Sequence, residues 1–354
     1  MADTWGKRIK LSIFGESHGA GIGITIDGLP AGIEVDMDAV SAEMARRAPG
    51  KSPLSTQRSE ADAVEILSGI YNGITTGSAI CGIIRNTNTR SRDYNNIFRP
   101  GHADLTAWLK HKGHADMRGG GHFSGRLTAP LVFAGAIAKQ VLARQGVSVH
   151  ARITAVGGIA DNSPRPDSKQ WAEISAKAFA VADDKAGEAM QKLILTCRDE
   201  GDSVGGVIET AAIGVPPGLG EPFFDSVESV ASHLFFSIPA VKGVEFGGGF
   251  ALAAMRGSES NDSICLQDRK PVTATNNCGG ILGGITTGGF VVARLAFKPT
   301  PSIGKAQQSV NPDTMENVIL ETHGRHDPCI VPRAVPVAEA ALALALLDCM
   351  ESGI

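Results

Sequence analysis

Gly69-Ile70-Tyr71-Asn72-Gly73-Ile74-Thr75-Thr76-Gly77 returns 211 residues later as Gly280-Ile281-Leu282-Gly283-Gly284-Ile285-Thr286-Thr287-Gly288. A second frame repeats ahead of it in each half. Gly15-Glu16-Ser17-His18-Gly19, an apolar run and Gly28-Leu29-Pro30-Ala31-Gly32 are echoed 186 residues on by Gly201-Asp202-Ser203-Val204-Gly205, an apolar run and Gly214-Val215-Pro216-Pro217-Gly218. Two copies in one order read as a duplicated unit, not a many-repeat solenoid. The expected arrangement is one domain over 1–354, with pseudo-repeats at about 9–150 and 195–350. The repeat breaks at His18, where the second copy has Val204. Turn geometry alone needs no imidazole there, so the break favours a chemical role for His18 over a structural one.

Periodicity gives the elements. Alternating segments near 9–14, 22–27, 204–213 and 290–297 read as strands. Residues 37–48 read as a helix capped by Asp36, with Arg46 and Arg47 in its last turn. Residues 126–145 read as a buried helix ended by Gly146, with Pro130 near its start, and 336–352 as another ended by Gly353. Strands and helices are mixed without strict alternation, which predicts an α+β fold with antiparallel sheets and helices between them.

Composition narrows the function class. The chain has 354 residues, 43% of them hydrophobic, and a net charge of −4, which does not suggest nucleic-acid binding. No apolar run approaches the roughly 20 residues that span a bilayer, and the N-terminus lacks the apolar core of a signal peptide. The six cysteines form no CxxC pair, as expected of free thiols in a reducing cytoplasm. Charge is uneven: Arg46 to Arg126 holds nine Arg and three Lys against six acids. An Arg-rich stretch suits a small polyanion carrying carboxylate or phosphate, with a solvated basic face as the plain alternative.

Five segments carry chemistry. Gly15-Glu16-Ser17-His18-Gly19 presents a hydroxyl and an imidazole on a tight turn, without the GxSxG of a nucleophile elbow. An imidazole can donate a proton near neutral pH, which would help a departing phosphate. Arg99-Pro100-Gly101-His102-Ala103-Asp104 gathers Arg, His and Asp on a turn. His111, His114 and His122 form no His-x-x-x-His pair, so acid–base chemistry is favoured over a metal. Arg118-Gly119-Gly120-Gly121-His122-Phe123-Ser124-Gly125-Arg126 is a Gly-rich turn leading into a helix, suited to an anion. It is neither GxGxxG nor a P-loop. Lys298-Pro299-Thr300-Pro301-Ser302 and Arg325-His326-Asp327-Pro328-Cys329 offer a cation with hydroxyls and an Arg with a carboxylate. Alone, these two also fit a proline-rich turn and a loop ion pair.

Together these runs resemble the chorismate synthase family along nearly the whole chain, joined by TQR at 56–58, EILSG at 65–69, TTG at 75–77 and GVEFG at 243–247. The resemblance implies a β-α-β sandwich, two sheets around a helical layer, assembled as a homotetramer. It implies reduced FMN as cofactor and a 1,4-anti elimination of phosphate from 5-enolpyruvylshikimate 3-phosphate to give chorismate. The expected source of reduced FMN is an external flavin reductase, with NADPH as an indirect reductant, because no extra domain for that task is evident in the sequence. The resemblance implies His18 near the leaving phosphate, His102 near the flavin N1 region and Asp327 as proton acceptor. It places Arg47, Ser17, Arg99, Arg126 and Arg325 around the substrate. It places His122, Phe123, Ser124, Pro239, Ala240, Gly283, Lys298, Pro299, Thr300, Pro301, Ser302 and Arg325 around the cofactor.

The chain also departs from the family pattern. Many members have RSSAR where this one has His122-Phe123-Ser124-Gly125-Arg126, Arg at the position of Pro53, and Asn at that of Pro239. The competing functions are a flavin-dependent reductase and a non-catalytic binder of phosphate ligands. The first needs a nicotinamide site, and the second needs none of His18, His102 and Asp327.

Overall fold

The computed structural model describes residues 3–50, 54, 62–87, 97–322 and 327–350. Alternation of apolar residues builds two five-stranded antiparallel sheets. The first contains β1 (Thr4–Trp5), β2 (Lys10–Gly15), β3 (Gly21–Asp27), β4 (Val64–Ser68) and β7 (Ile80–Arg85), in the order β1-β2-β3-β7-β4. The second contains β8 (Ser148–Val156), β9 (Ile159–Ala160), β10 (Gly206–Ile213), β11 (Val241–Phe246) and β16 (Val291–Phe297), in the order β11-β16-β10-β8-β9. Four hairpins stand outside the sheets: β5 (Ile70–Tyr71) with β6 (Ile74–Thr75), β12 (Ile264–Gln267) with β13 (Lys270–Thr273), β14 (Ile281–Leu282) with β15 (Ile285–Thr286), and β17 (Gln307–Asn311) with β18 (Glu316–Leu320). The helices are α1 (Met37–Arg47), α2 (Asp104–His111), α3 (Thr128–Arg144), α4 (Ser168–Ser175), α5 (Asp184–Asp199), α6 (Val227–Ser237), α7 (Gly257–Ser260) and α8 (Val331–Cys349).

The helices α3 and α8 form the middle layer. Both are apolar nearly all round, the mark of a helix covered on every side. They approach closely where their midpoints meet: a Cβ on Gly135 would lie 2.2 Å from the Cβ of Ala340. The first sheet turns Ile22, Ile24, Ile26, Ile80 and Ile84 inward, and Gly82 leaves room for the Phe133 ring of α3. The second sheet turns Val149, Ala151, Ile153, Ile208, Ala293 and Leu295 inward. On its other face Trp171 of α4 packs over Ala211 and Val292. No helix among the described residues is long and apolar enough to cross a membrane.

The repeated sequence blocks occupy matching places. In β5–β6, Asn72 and Gly73 take φ of 49° and 75°; in β14–β15, Gly283 and Gly284 take 61° and 89°. Paired left-handed residues are what a two-residue hairpin turn requires. The Thr75 hydroxyl donates to Pro30 O (2.7 Å) and accepts from Ile33 N (2.9 Å). The Thr286 hydroxyl does the same with Pro216 O (2.7 Å) and Leu219 N (2.9 Å). Strand β8, which straddles the end of the first expected unit, pairs with β10 in the second sheet.

The four predicted strands are present as β2, β3, β10 and β16. Asp36 caps α1, accepting from Asp38 N (2.9 Å) and Ala39 N (3.0 Å). The expected helix at 126–145 begins at Thr128, after a short 3₁₀ turn over Gly125–Leu127. The helix expected at 336–352 begins five residues earlier, at Val331, and ends at Cys349. Pro332 fills the first turn, where a missing N–H is harmless. Pro336 lies inside the helix rather than at its start.

A carboxylate locks the helical layer. Glu339 of α8 is fully buried. It binds Arg46 of α1 through two bonds (2.6 and 2.9 Å), Lys139 of α3 (2.8 Å), the Ser175 hydroxyl (2.7 Å) and Ala151 N (3.1 Å). Burial alone would raise its pKa, but Lys139 and Arg46 outweigh that and hold it at about 2, against a usual 4.5. A carboxylate depressed by folding stabilises fully above its unfolded pKa and loses that contribution as pH falls through the folded value. Unfolding by urea should therefore become easier as pH falls from about 4.5 towards 2. Glu339→Gln should lower stability at neutral pH by about 3–5 kcal/mol and flatten the acid slope. An unchanged slope in the variant would contradict this role.

Candidate functional site

Both middle helices open at their N-terminal ends into one cavity of about 840 Å³. Leu127, Thr128 and Leu131 line it from the α3 side, and Ile330, Arg333, Ala334 and Val337 from α8. Into it open His18, His102 and Asp327, brought together from three distant stretches. Arg47, Arg99, Arg126, His122, Phe123 and Ser124 also line it, as do Pro239, Ala240, Lys298, Thr300, Pro301 and Ser302. Ser17 sits beneath the wall, 1% exposed, its hydroxyl with no hydrogen-bond partner among the described residues. Pro299 is not part of the wall. Arg325 and Pro53 fall outside the described residues. The resemblance puts Gly283 at a cofactor contact; in this chain it is a turn residue of the β14–β15 hairpin and does not line this cavity.

The run Gly119-Gly120-Gly121 explains how two imidazoles fit. All three residues are left-handed, with φ of 62°, 87° and 52°, a backbone that L-residues with side chains adopt at a cost. A Cβ on Gly119 would lie 2.0 Å from His18 Nδ1, and one on Gly120 would lie 2.9 Å from His102 Cε1. A Cβ on Gly121 would run into Asp116 O at 1.9 Å. The His18 turn is tied to this platform by Ser17 N donating to Gly121 O (3.0 Å). The departure at His122 has its own anchor, with Nδ1 2.8 Å from Gly15 O.

Charge is arranged in layers. Asp62, 3% exposed, joins Arg47 (2.8 Å) to Arg126. Burial alone would raise the Asp62 carboxyl, but the two guanidiniums hold it below the usual range. Arg47 also donates to Gly125 O (2.9 Å) and Thr128 Oγ1 (3.2 Å). Burial and the nearby Arg333 push Arg47 down to about 10, against the pull of Asp62. Arg126 Nε donates to Asn86 Oδ1 (3.2 Å). Arg99, expected at the substrate, directs its fork at Asp104 (2.7 and 2.8 Å). Asp327 pairs with Arg333, whose Nε also donates to Arg47 O (3.1 Å). Lys298 donates to Gly101 O, fastening the His102 turn, and its amine is held below its usual pKa by burial and by Lys242. Ala240, with φ of 74°, accepts from Lys298 N (3.0 Å). Such a left-handed L-residue stores about 1–2 kcal/mol.

Asp62, Lys242 and Arg333 belong to the site although sequence reasoning did not single them out. Asp104 was grouped with Arg99 and His102 on their turn but given no role of its own. Arg333 carries a readable signal, a cation in the first turn of a helix, where the dipole disfavours it. Asp62 carries none, because its partners come from α1 and the turn before α3.

The platform makes a testable demand. Gly119→Ala should drive the His18 ring from its place and destabilise the chain by about 1–3 kcal/mol. Gly125→Ala, with nothing within 4 Å of its Cβ, should leave stability within about 0.5 kcal/mol. Urea denaturation of both variants checks this, and equal stabilities would contradict the close packing.

A sequence profile of the chorismate synthase family matches residues 9–350. The chain is 48% identical to the chorismate synthase of Methanocella arvoryzae, covering 99% of this chain and 95% of that one. It is 46% identical to that of Archaeoglobus fulgidus, covering 98% and 97%. A crystal structure titled as chorismate synthase superposes with a TM-score of 0.76 at 30% identity, over 98% of this chain and 92% of the other. Profile, relatives and architecture agree over almost the full length, and the chain belongs to the chorismate synthase family.

Proposed function

We propose that the cavity carries out the 1,4-anti elimination of phosphate from 5-enolpyruvylshikimate 3-phosphate with reduced FMN, giving chorismate. The chain is a lyase of aromatic biosynthesis by its family. The observation that carries the site reading is the meeting of His18, His102 and Asp327 in one cavity that Arg47, Arg99, Arg126, Lys242, Lys298 and Arg333 also line. Among the described residues the only carboxylates in its wall are Asp3 and Asp327. Such an excess of cations suits a substrate bearing a phosphate and two carboxylates.

The residues present also fit a flavin. The cavity is near the upper end of the roughly 300–1,000 Å³ usual for ligand sites, which leaves room for cofactor and substrate together. Trp5, Phe123 and Leu131 give it apolar wall, and Thr300 Oγ1 is buried with no hydrogen-bond partner among the described residues. His122, Phe123, Ser124, Pro239, Ala240, Lys298, Thr300, Pro301 and Ser302 would hold the cofactor. When bound, reduced FMN would supply electron density as phosphate departs and a site through which the ring hydrogen is removed. In this reading His18 gives a proton to the leaving phosphate oxygen. Arg47 and Arg126, fixed by Asp62, orient the anionic groups without having to be ordered at the moment of reaction. Arg333 holds Oδ2 of Asp327, and that carboxylate would take up the ring proton once it has left the substrate by way of the cofactor.

The finer expectations belong to the same proposal. The chain works in the cytoplasm as a homotetramer and receives reduced FMN from an external flavin reductase, with NADPH as the indirect source. Assembly is supported by Phe223, Phe224 and Phe250, each at least 85% exposed in the single chain, since large exposed aromatics mark interaction surfaces.

The test is turnover in variants that stay folded and bind FMN. His18→Ala and His102→Ala should each lower kcat by about 10²–10⁴-fold. Asp327→Asn should slow decay of the flavin signal in a single turnover. Full activity in both histidine variants would overturn the acid–base assignment, and unchanged decay would overturn that of Asp327.

A further inference from the structure

The turn from Arg99 to Asp104 closes on itself. Asp104, the first residue of α2, is 4% exposed. Its Oδ2 accepts from Arg99 N (2.9 Å) and Arg99 Nε (2.7 Å). Its Oδ1 accepts from Arg99 Nη2 (2.8 Å) and lies 2.7 Å from His102 Nδ1. Burial alone would raise the Asp104 carboxyl, but His102 and Arg99 hold it well below the usual range, so it is ionised and can only accept.

That geometry decides which ring nitrogen carries the proton. His102 Nδ1 is also 3.3 Å from Arg99 Nη2, which could in principle donate to it. The shorter approach wins, because a charge-assisted bond to a carboxylate is about twice as strong as a neutral one. A bare Nδ1 would set its lone pair against a carboxylate oxygen at 2.7 Å. The opposite edge of the ring lies over Gly120, where a Cβ would come within 3.0 Å of Nε2. The ring is thus gripped at Nδ1, and the missing side chain of Gly120 leaves space beside Nε2.

We infer that Asp104 is a positioning residue for the reaction: it fixes His102 as the Nδ1–H tautomer and so leaves Nε2 as the nitrogen offered to the cavity. The inference rests on the role proposed above for His102. Arg99 is the clamp on Asp104 rather than a group directed first at the substrate.

Asp104→Asn separates shape from charge. The amide oxygen can keep the two Arg99 donors at the Oδ2 position, giving up the bond from Arg99 Nη2 at Oδ1, which leaves the amide NH₂ facing His102 Nδ1. Nδ1 must then accept, and the proton moves to Nε2. The full-length chain labelled with ¹⁵N-histidine and free of ligand reports this directly by NMR, with His102→Ala assigning the signal. The expected result is an Nδ1–H signal in the parent chain and an Nε2–H signal in Asp104→Asn. With reduced FMN, kcat should fall by about 10²–10⁴-fold while KM and FMN affinity stay within a factor of two or so. Adding Asp104→Asn to His102→Ala should cause no further loss, because the carboxylate acts through the ring. The same tautomer in both chains, or a further loss in the double variant, would overturn the positioning role. A switched tautomer with full turnover would support the positioning role and overturn instead the catalytic reading of His102.

Discussion

The contact on which the rest depends is the crossing of α3 and α8 at Gly135 and Ala340. The missing side chain at Gly135 lets the two helices meet with no layer of atoms between them. Both sheets pack on this pair, so its spacing sets the thickness of the sandwich. It also sets the mouth of the cavity, because both helices open into it near their first turns. Thr128 lies on α3, with Ser124, Gly125 and Arg126 in the turn just before it, and Arg333 lies on α8, with Asp327 just ahead of it. The bond from Arg333 Nε to Arg47 O (3.1 Å) then joins the ends of α1 and α8. Interiors packed this tightly transmit displacement, so chemistry at the mouth is fixed by packing in the middle.

Three buried carboxylates finish what packing begins. Glu339 holds Arg46 and Lys139, Asp62 holds Arg47 and Arg126, and Asp104 holds Arg99 and His102. Taking charges out of water rarely yields net stability, so orientation is the better account of these clusters. Each carboxylate faces two basic side chains. Glu339 fixes helices to one another, whereas Asp62 and Asp104 fix groups that reach the cavity. The acids themselves stay behind the wall, which leaves a surface dominated by cations.

The sequence disclosed what is local or periodic. Alternation located β2, β3, β10 and β16, and Asp36 announced α1. The threonine turns at Thr75 and Thr286 repeat because each closes the same pair of backbone bonds. The start of α8 was read at 336, five residues late, since a proline inside a helix and one at its beginning look alike until the packing is known. Strand β8 was hidden because its partner, β10, lies some fifty residues downstream. At the site, His18, His102 and Asp327 were legible through their motifs, and the cavity brings them together. The reason for three consecutive glycines was not legible: Gly119 makes way for the His18 ring, about a hundred residues earlier in the chain, Gly120 for the His102 ring and Gly121 for the Asp116 carbonyl. Nor could Arg99 be seen to face Asp104 rather than a ligand, although the two are only five residues apart.

The central proposal is that this cavity eliminates phosphate from 5-enolpyruvylshikimate 3-phosphate only with FMN bound in its reduced form. The direct measurement is an anaerobic reaction of the full chain with dithionite-reduced FMN, following chorismate absorbance and phosphate release together. The account predicts equal amounts of both products, with none when FMN is oxidised. Phosphate without chorismate, equal turnover with oxidised FMN, or no turnover from a folded, flavin-binding chain would contradict it.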